Sequence, residues 1–216
     1  MLPPDMNSPN PTTESTSDAD HAVDRVADID DGLMIRVQEG DSQAFPDLVE
    51  RHQQSLINFF YANTRDRQLA EDLTQETLLK VFDQSWDYIP SGRFRGWMFR
   101  VARNLLIDTV RRRNHDALVK AVQGRTDETS VLAGLAEDVI TAEDQADVNE
   151  LASVVGKLLQ TLPEEQRLTF TLHHQSELSL PEVARILQTS VATTKSRLRL
   201  AREKLREKLR GRGFEE

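Results

Sequence analysis

Apolar residues recur at the three- and four-residue spacing of amphipathic helices in two long stretches, residues 29–114 and residues 149–212. Neither stretch shows strand-like alternation of useful length, and no segment repeats another. The pattern therefore predicts an all-α protein built from two small helical domains. A chain of 216 residues is long enough to hold both.

Two further stretches lack this helical pattern. Residues 1–28 are rich in Pro, Ser, Thr and Asp, and they have too few apolar side chains to offset the entropy of ordering, which predicts a disordered acidic tail. Residues 115–148 are weakly patterned and acidic at their end, which predicts a flexible linker between the two helical domains. A short helix around Val131–Ile140 is expected within that linker.

The net charge of −9 seems at first to oppose binding to nucleic acid. Residues 1–31 carry a net charge of −7 and residues 126–150 carry −8, which leaves +6 for the rest of the chain. Because local patches decide whether a polyanion binds, the two helical domains remain candidates for binding DNA.

Several absences narrow the class of protein. The chain has no cysteine, no run of about 18 apolar residues and no basic-then-apolar leader pattern. These absences predict a cytoplasmic protein with no membrane insertion. His173 and His174 are adjacent and cannot face one metal from a helix, and His52 lacks a partner at ligand spacing. No phosphate-binding loop or nucleophile motif is present, so we predict no enzyme, no catalytic residue, no metal and no cofactor.

Helix signals divide the C-terminal domain into capped segments. Thr161-Leu-Pro-Glu164 and Ser179-Leu-Pro-Glu182 are both capping-box patterns. Residues 188–190 predict a short turn, in which Ser190 can cap a helix from Val191 to about Leu209.

That last helix has two distinct faces. One is apolar and holds Val191, Leu198, Ala201, Leu205 and Leu209. The other stacks the cations Lys195, Arg199, Arg202 and Arg206. A short helix, a tight turn and a longer basic helix form a helix-turn-helix pattern, whose second helix enters the major groove of DNA. A solvated amphipathic helix would explain the cationic stripe, but not the caps and the turn.

The N-terminal domain contains a helix predicted over Asp66–Phe82. Its buried face holds Leu69, Leu73 and Val81, and another face holds Asp72, Gln75 and Glu76. The helix dipole accounts for acids in the first turn, but not for a polar cluster further along.

A loop marked by Pro90, Ser91 and Gly92 precedes a helix predicted over residues 95–113. Trp97 lies on the same side of this helix as Val101 and Leu105, so we expect it in the core and not as a base-stacking platform. The loop and helix carry a cationic cluster formed by Arg93, Arg95, Arg100, Arg103, Arg111, Arg112 and Arg113.

Both domains resemble the same family. Residues 70–82, AEDLTQETLLKVF, closely resemble region 2.2 of bacterial sigma-70-type RNA polymerase sigma factors. The segments LPEEQR at 162–167, LPEVARIL at 180–187 and VATTKSRL at 191–198 resemble region 4 of that family. The chain is identified as similar to the extracytoplasmic-function group, whose members bind core polymerase and direct it to promoters.

The resemblance implies three contact surfaces. In the family, region 2.2 docks on the clamp coiled coil of the largest polymerase subunits, which here implies Asp72, Gln75 and Glu76. The loop and following helix bind the −10 element and the displaced strand, which implies Tyr88, Ser91, Arg93, Arg100, Arg103 and Asn104. The basic helix binds the −35 element, which implies Thr193, Lys195, Ser196, Arg199 and Arg202.

Promoter choice and regulation stay open at this point. The family usually has glycine at the position of Ala192, an aliphatic residue at that of Thr194 and often arginine at that of Leu200. Leu200 could contact a thymine methyl group or another protein. Family members are commonly inhibited by an anti-sigma factor between the domains, so we expect one here. We also expect the acidic linker to occupy polymerase channels that otherwise hold nucleic acid.

Two other functions fit part of the sequence. A helix-turn-helix regulator that binds operators as a dimer explains the C-terminal domain, but not the face of Asp72, Gln75 and Glu76. An interaction protein could use the same surfaces to titrate other factors, and promoter-dependent transcription would exclude it.

Overall fold

The protein is described by a computed structural model, which covers residues 29–122 and 154–211. Within these ranges the chain is helical and contains no strand, which confirms the all-α prediction. The predicted tail at 1–28, most of the predicted linker and the helix expected at Val131–Ile140 lie outside the described residues. The helices are α1 (29–38), α2 (Ala44–Thr64), α3 (Arg67–Asp83), a 3₁₀ turn (Ser85–Asp87), α4 (Phe94–Val122), α5 (154–160), α6 (Glu164–His174), α7 (Leu180–Ile186) and α8 (Val191–Arg210).

Three of the helix starts follow from short polar side chains. Asp66 caps α3 by accepting a hydrogen bond from the backbone N–H of Leu69 at 3.0 Å. Ser179 and Glu182 form the predicted capping box at the start of α7. Ser190 caps α8 by accepting from the backbone N–H of Thr193 at 3.0 Å, also as predicted.

Other helix boundaries differ from the predictions. The capping box expected at Thr161 is wrong, because α6 begins only at Glu164 and the Thr161 hydroxyl donates to the carbonyl of Leu158 at 2.7 Å. That bond makes Thr161 part of the end of α5. Helix α4 was expected to end at residue 113, but it continues to Val122. The apolar pattern beyond residue 113 is too weak to indicate that the helix goes on.

The N-terminal core forms where α2, α3 and α4 meet. Four phenylalanines, two from α2 and two from α4, are almost completely buried there: Phe59, Phe60, Phe94 and Phe99. Burial of each ring contributes about 1.5–3 kcal/mol to folding. Phe59 touches Phe60 and Phe99 edge-on, with ring centroids 5.3 and 5.6 Å apart. This core holds α3 and α4 at fixed positions, with their polar faces outward.

A buried carboxylate joins α1 to α2. Asp30 is fully buried, and it pairs with the guanidinium of Arg51 at 2.8 Å and with the imidazole of His52 at 2.9 Å. Burial alone would raise the pKa of Asp30, but the hydrogen bonds and charges of His52 and Arg51 outweigh it and hold the pKa below its ordinary value of 3.8. His52 therefore has the carboxylate partner that its sequence neighbours did not reveal.

The two groups of helices predicted to be separate domains pack directly against each other. Leu168 and Leu172 of α6, and Val183 and Ile186 of α7, belong to the same apolar cluster as the N-terminal phenylalanines. Polar contacts cross the same boundary. Asn63 donates to the hydroxyl of Thr171 at 3.2 Å. We call this packing the closed arrangement.

A second apolar cluster continues the closed arrangement through α5 and α8. It combines Ala62 of α2 with Leu158, Leu159, Leu162, Ala201 and Leu205. The amide of Gln160 adds a hydrogen bond to the carbonyl of Ala62 at 2.7 Å. The apolar face predicted for α8 is therefore mostly buried. Val191 is the exception, since it is 46% exposed at the solvent-facing start of the helix.

Replacement of the buried carboxylate tests the link between α1 and α2. We expect Asp30→Asn to lower the free energy of unfolding by about 3–5 kcal/mol at pH 7, because Arg51 loses its counter-ion and His52 loses its carboxylate partner. Glu71→Gln, which breaks an exposed pair with Arg67, should change it by about 0.5 kcal/mol or less. Urea denaturation measures both, and equal losses would contradict the assignment.

The same pair of proteins gives a pH test. The folded-state pKa of Asp30 lies below 3.8, so its stabilisation is present above that pH and is lost as the pH falls through the folded-state pKa. The stability gap between the wild type and Asp30→Asn should therefore narrow below pH 3.8. A gap that widens on acidification would reverse the expected sign.

The closed arrangement can be tested by cross-linking, because the chain has no cysteine of its own. A Cβ atom at Gly96 of α4 would lie 3.5 Å from the carboxylate of Glu182 of α7. The double variant Gly96→Cys with Glu182→Cys should form an intramolecular cross-link with a short bismaleimide, detected by mass spectrometry. Each single variant is the control. Absence of the cross-link in a folded double variant would show that the two groups do not meet as described.

Candidate functional site

The exposed face of α3 carries the first predicted site. Asp72 and Gln75 are exposed and Glu76 is half-buried, and the three lie on one side of the helix. The opposite side packs into the core through Leu73 and Val81. Asp72 accepts a hydrogen bond from Gln68 at 3.1 Å, and Glu76 lies 3.8 Å from the ammonium of Lys80. The structure thus brings the three predicted residues together as one acidic and amide surface.

An apolar extension of this surface was missed in the sequence. Leu79 is 63% exposed, Phe82 is 48% exposed and Trp86, in the 3₁₀ turn, is 71% exposed. Leu79 and Phe82 follow Glu76 at three-residue steps along α3, and Trp86 lies just beyond the end of that helix. The spacing of these side chains could have indicated an exposed apolar surface. However, four of the five residues in Leu78–Phe82 are apolar, so the sequence alone does not show which of them face solvent. Large apolar side chains adjoining a polar face are typical of a protein-binding surface.

The loop between the 3₁₀ turn and α4 carries the second predicted site. Ser91 and Arg93 are exposed, as a DNA-contacting loop requires. Tyr88 corrects the prediction, because its ring is only 7% exposed and packs against Trp97 and Phe94 with centroids 5.0 and 5.9 Å apart. Its hydroxyl donates to Asp31 at 2.5 Å. Burial, and then the bond to Asp31 and the nearby negative charges, raises the pKa of Tyr88 far above its ordinary value.

Trp97 lies between the core and the surface. It packs on the N-terminal cluster as predicted, but it is only partly buried and also lines a cleft beside the loop. Its position is therefore compatible with both a packing role and a contact at the edge of the cleft.

The three arginines in the first half of α4, Arg95, Arg100 and Arg103, lie in two different environments. Arg100 and Asn104 are exposed, and Arg103 is half-buried and donates to the side chain of Asn104 at 3.3 Å. These residues form a polar surface that continues from Arg93 along the helix. Arg95 instead turns towards the C-terminal helices, where it pairs with Glu177 at 3.2 Å and donates to the carbonyl of Ser176 at 3.0 Å.

A cleft of about 330 Å³ lies at the junction of the loop, α4 and α7. The loop and α4 supply most of its wall, including Ser91, Arg93 and Arg100. Helix α7 supplies the remaining side with Glu182, Arg185 and Ile186. In the closed arrangement the C-terminal helices therefore stand against the surface that the second predicted site uses.

The outer face of α8 carries the third predicted site. Its five predicted residues are all exposed: Thr193, Lys195, Ser196, Arg199 and Arg202. Two of them also have local roles. The hydroxyl of Thr193 lies 2.9 Å from that of Ser190, so it takes part in the helix cap. Arg199 pairs with Glu203 one turn later at 2.6 Å.

Arg202 is held by His174, for which the sequence predicted no functional contact. The imidazole of His174 accepts from the Nε of Arg202 at 3.1 Å, and the second guanidinium nitrogen lies 3.0 Å away. Burial lowers the pKa of His174, and the charges of Arg202 and His173 lower it further. A neutral imidazole can accept a hydrogen bond, so His174 is suited to orient the guanidinium.

The residues that depart from the usual family pattern take different positions on α8. Ala192 is exposed beside Thr193. Thr194 is fully buried, and its hydroxyl donates to the carbonyl of Ser190 at 3.0 Å. Leu200 is half-buried. Thr194 is thus a packing position of the C-terminal helices and not a DNA-facing one.

Across residues 29–122 and 154–211, no group of three or more His, Cys, Asp and Glu side chains could hold a metal ion. None of the helices in those same ranges is both long enough and apolar enough to cross a lipid bilayer.

Comparison with known protein families agrees with both halves of the structure. Residues 48–115 match the model of sigma-70 region 2. Residues 153–205 match that of sigma-70 region 4. The first range includes the α3 face, the loop and most of α4, and the second includes most of α8.

Individual relatives are similar over most of their length. The RNA polymerase sigma-H factor of Pseudomonas aeruginosa is 30% identical over 183 residues, which cover 81% of this chain and 90% of that protein. The ECF RNA polymerase sigma factor SigW of Bacillus subtilis is 29% identical over 175 residues, covering 81% and 94%.

Solved structures show the same fold. RpoE of Bartonella quintana, solved with the anti-sigma factor NepR, has a TM-score of 0.62 and 25% identity, covering 77% of this chain and 96% of that one. CnrH, solved with the cytosolic domain of CnrY, has a TM-score of 0.63 and 24% identity, covering 85% and 98%. The chain belongs to the extracytoplasmic-function group of the sigma-70 family of RNA polymerase sigma factors.

Proposed function

We propose that this protein binds core RNA polymerase and directs it to promoters by binding their −10 and −35 elements. The observation that carries the proposal is the exposed α3 face of Asp72, Gln75 and Glu76 in a chain that also presents a basic helix-turn-helix. Neither feature alone requires a polymerase partner. The proposed role places the protein beside polymerase on bacterial DNA in the cytoplasm, and RNA synthesis remains the chemistry of polymerase.

The chemistry of the α3 face suits a basic helical partner. Carboxylates accept paired hydrogen bonds from an arginine fork, and the amide of Gln75 can both donate and accept. Leu79 and Phe82 adjoin these groups and offer apolar area for the same partner. We assign this combined surface to the clamp coiled coil of the largest polymerase subunits.

The loop and α4 suit single-stranded DNA. Ser91 can hydrogen-bond a base edge, and Arg93 and Arg100 line the cleft, where they can bind the backbone of a displaced strand. Arg103 and Asn104 extend this surface along α4. We therefore assign the −10 contact to these residues, with Tyr88 supporting the loop from beneath.

The outer face of α8 suits duplex DNA. Lys195, Arg199 and Arg202 lie at four- and three-residue steps on an exposed side of the helix, where they can contact phosphates and bases in the major groove. Ser196 and Thr193 are short donors at the start of the helix. Leu200 lies beside this face and remains a candidate for contact with a thymine methyl group or with a protein.

The closed arrangement suggests how the protein is inhibited. Helix α7 covers one side of the cleft, so −10 DNA would require the C-terminal helices to move away from α4. RpoE and CnrH were solved with an anti-sigma factor and with a partner's cytosolic domain, respectively. We propose that an anti-sigma factor also controls this protein, and that a closed arrangement of the two regions is the state it holds.

A stand-alone regulator that binds DNA as a dimer is the alternative. It accounts for α6 to α8, but it gives no role to the α3 face or to the cleft. Purification with core polymerase supports the sigma function, whereas a stable homodimer on DNA that excludes polymerase supports the alternative.

Charge reversal on α3 tests polymerase binding. The double variant Asp72→Arg with Glu76→Arg should weaken binding to core polymerase by at least about tenfold, since each lost charged hydrogen bond contributes about 1.5–3 kcal/mol. Binding is measured by fluorescence anisotropy with labelled protein. The matched control, Glu39→Arg with Glu50→Arg, makes the same change in net charge at exposed positions outside α3. Equal affinities of the two double variants would remove the docking assignment.

Truncation of one cation on α8 tests the −35 contact. Arg199→Ala should weaken binding to a −35 duplex, and the slope of log affinity against log salt should fall by about 0.9 if the guanidinium neutralises one phosphate. Arg210→Ala, at the far end of the same helix, is the control with equal charge. If Arg199→Ala has the same effect on a duplex with a scrambled −35 element, Arg199 binds the backbone and does not read bases.

A further inference from the structure

The loop assigned to −10 DNA is held from behind by α1. We propose that Asp31 and Gln38 of α1 are positioning residues, which set the shape of this loop and thereby the selectivity for the −10 element. This inference rests on the proposed sigma function and adds residues that lie far from the DNA surface.

Asp31 bridges the two ends of the loop. Its side chain is buried, with 6% of the residue exposed. One carboxylate oxygen accepts from the hydroxyl of Tyr88 at 2.5 Å, and the other accepts from the backbone N–H of Gly92 at 2.6 Å. One side chain therefore fixes the first residue of the loop and the residue just before Arg93.

Gly92 explains why this contact controls geometry. Its φ of +67° is a left-handed conformation that side-chain-bearing residues rarely adopt. The turn places Ser91 and Arg93 on the cleft side of the loop, while the N–H of Gly92 points back to Asp31. Loss of the acceptor would leave this N–H without its partner and free the turn to reorient both cleft residues.

Gln38 holds the same loop two helical turns further along α1. Its amide donates to the carbonyl of Ser85 at 2.7 Å and to that of Tyr88 at 2.9 Å. Residues seven apart lie on the same side of a helix, so Asp31 and Gln38 form one continuous edge against the loop. The two side chains bind complementary groups, since Asp31 accepts hydrogen bonds and Gln38 donates them.

Helix α1 is itself a rigid support. Asp30, next to Asp31, is buried in its pair with Arg51 and His52 of α2. The two adjacent carboxylates therefore face different elements: one fixes α1 to the core, and the other fixes the loop to α1. The position of the loop is therefore set by its contacts with the N-terminal core, and not by contact with DNA.

A purely structural role would also explain the burial of Asp31, so the test must separate stability from selectivity. Asp31→Ala removes both acceptor oxygens, so neither the Tyr88 hydroxyl nor the N–H of Gly92 keeps its partner in α1. General destabilisation lowers transcription at every promoter alike. Mispositioning of the loop lowers discrimination at −10 bases and leaves discrimination at −35 bases unchanged.

The experiment uses the full chain with purified core polymerase in vitro. Promoter libraries randomised in the −10 element, or separately in the −35 element, are transcribed and the transcripts are sequenced. For Asp31→Ala the ratio of the best to the median −10 sequence should fall about tenfold, because small displacements of binding groups have large effects on selectivity. The −35 ratio should not change. Glu39→Gln, exposed just beyond α1, is the control and should match the wild type.

Tyr88→Phe and Gln38→Ala serve as second variants if Asp31→Ala fails to fold. Each removes only part of the anchor, so each should lower the −10 ratio while keeping the −35 ratio. An unchanged −10 ratio in the folded variants, or an equal loss at both elements, overturns the positioning role while the sigma function stands. A wild-type protein that shows no promoter selectivity overturns the proposed function, and the positioning role with it.

Discussion

The burial of two adjacent carboxylates in α1 constrains the N-terminal half of this protein. A buried charge is tolerated only with close partners, so Asp30 requires Arg51 and His52, and Asp31 requires the loop groups of Tyr88 and Gly92. Each requirement fixes one element against α1. Together the two sets of contacts fix α2 and the loop relative to α1. Helices α3 and α4 pack on the same core with their polar faces outward.

The surfaces that we propose to bind the −10 and −35 elements, called the −10 surface and the −35 surface, are organised on different physical grounds. The −10 surface is a loop and a helix whose shape comes from hydrogen bonds beneath it, as single-stranded DNA recognition requires a defined pocket. The −35 surface is a regular helix whose shape comes from its own backbone, with Leu198, Ala201 and Leu205 packed below and cations above. The closed arrangement joins them, because α7 carries apolar residues into the N-terminal cluster and polar residues to the edge of the cleft.

The sequence predicted well what depends on local patterns. Helices α3, α7 and α8 and the caps at Ser179 and Ser190 follow from short motifs, and the α3 face follows from helical periodicity. Contacts between distant residues were beyond such patterns. In the sequence, Asp30 and Asp31 look like a continuation of the acidic tail. Only the fold shows that they contact residues that lie 21 to 61 positions away in the chain. The burial of Tyr88 and the packing of the two helical groups against each other also depend on contacts between residues that are distant in the sequence.

Reconstituted transcription tests the central claim most directly. Core polymerase alone and core polymerase with the purified protein, freed of any inhibitor, are compared by run-off transcription on a genomic promoter library. The account predicts that the protein produces a defined set of transcripts that core polymerase alone does not make. Binding of the protein to DNA without any new transcript would contradict it.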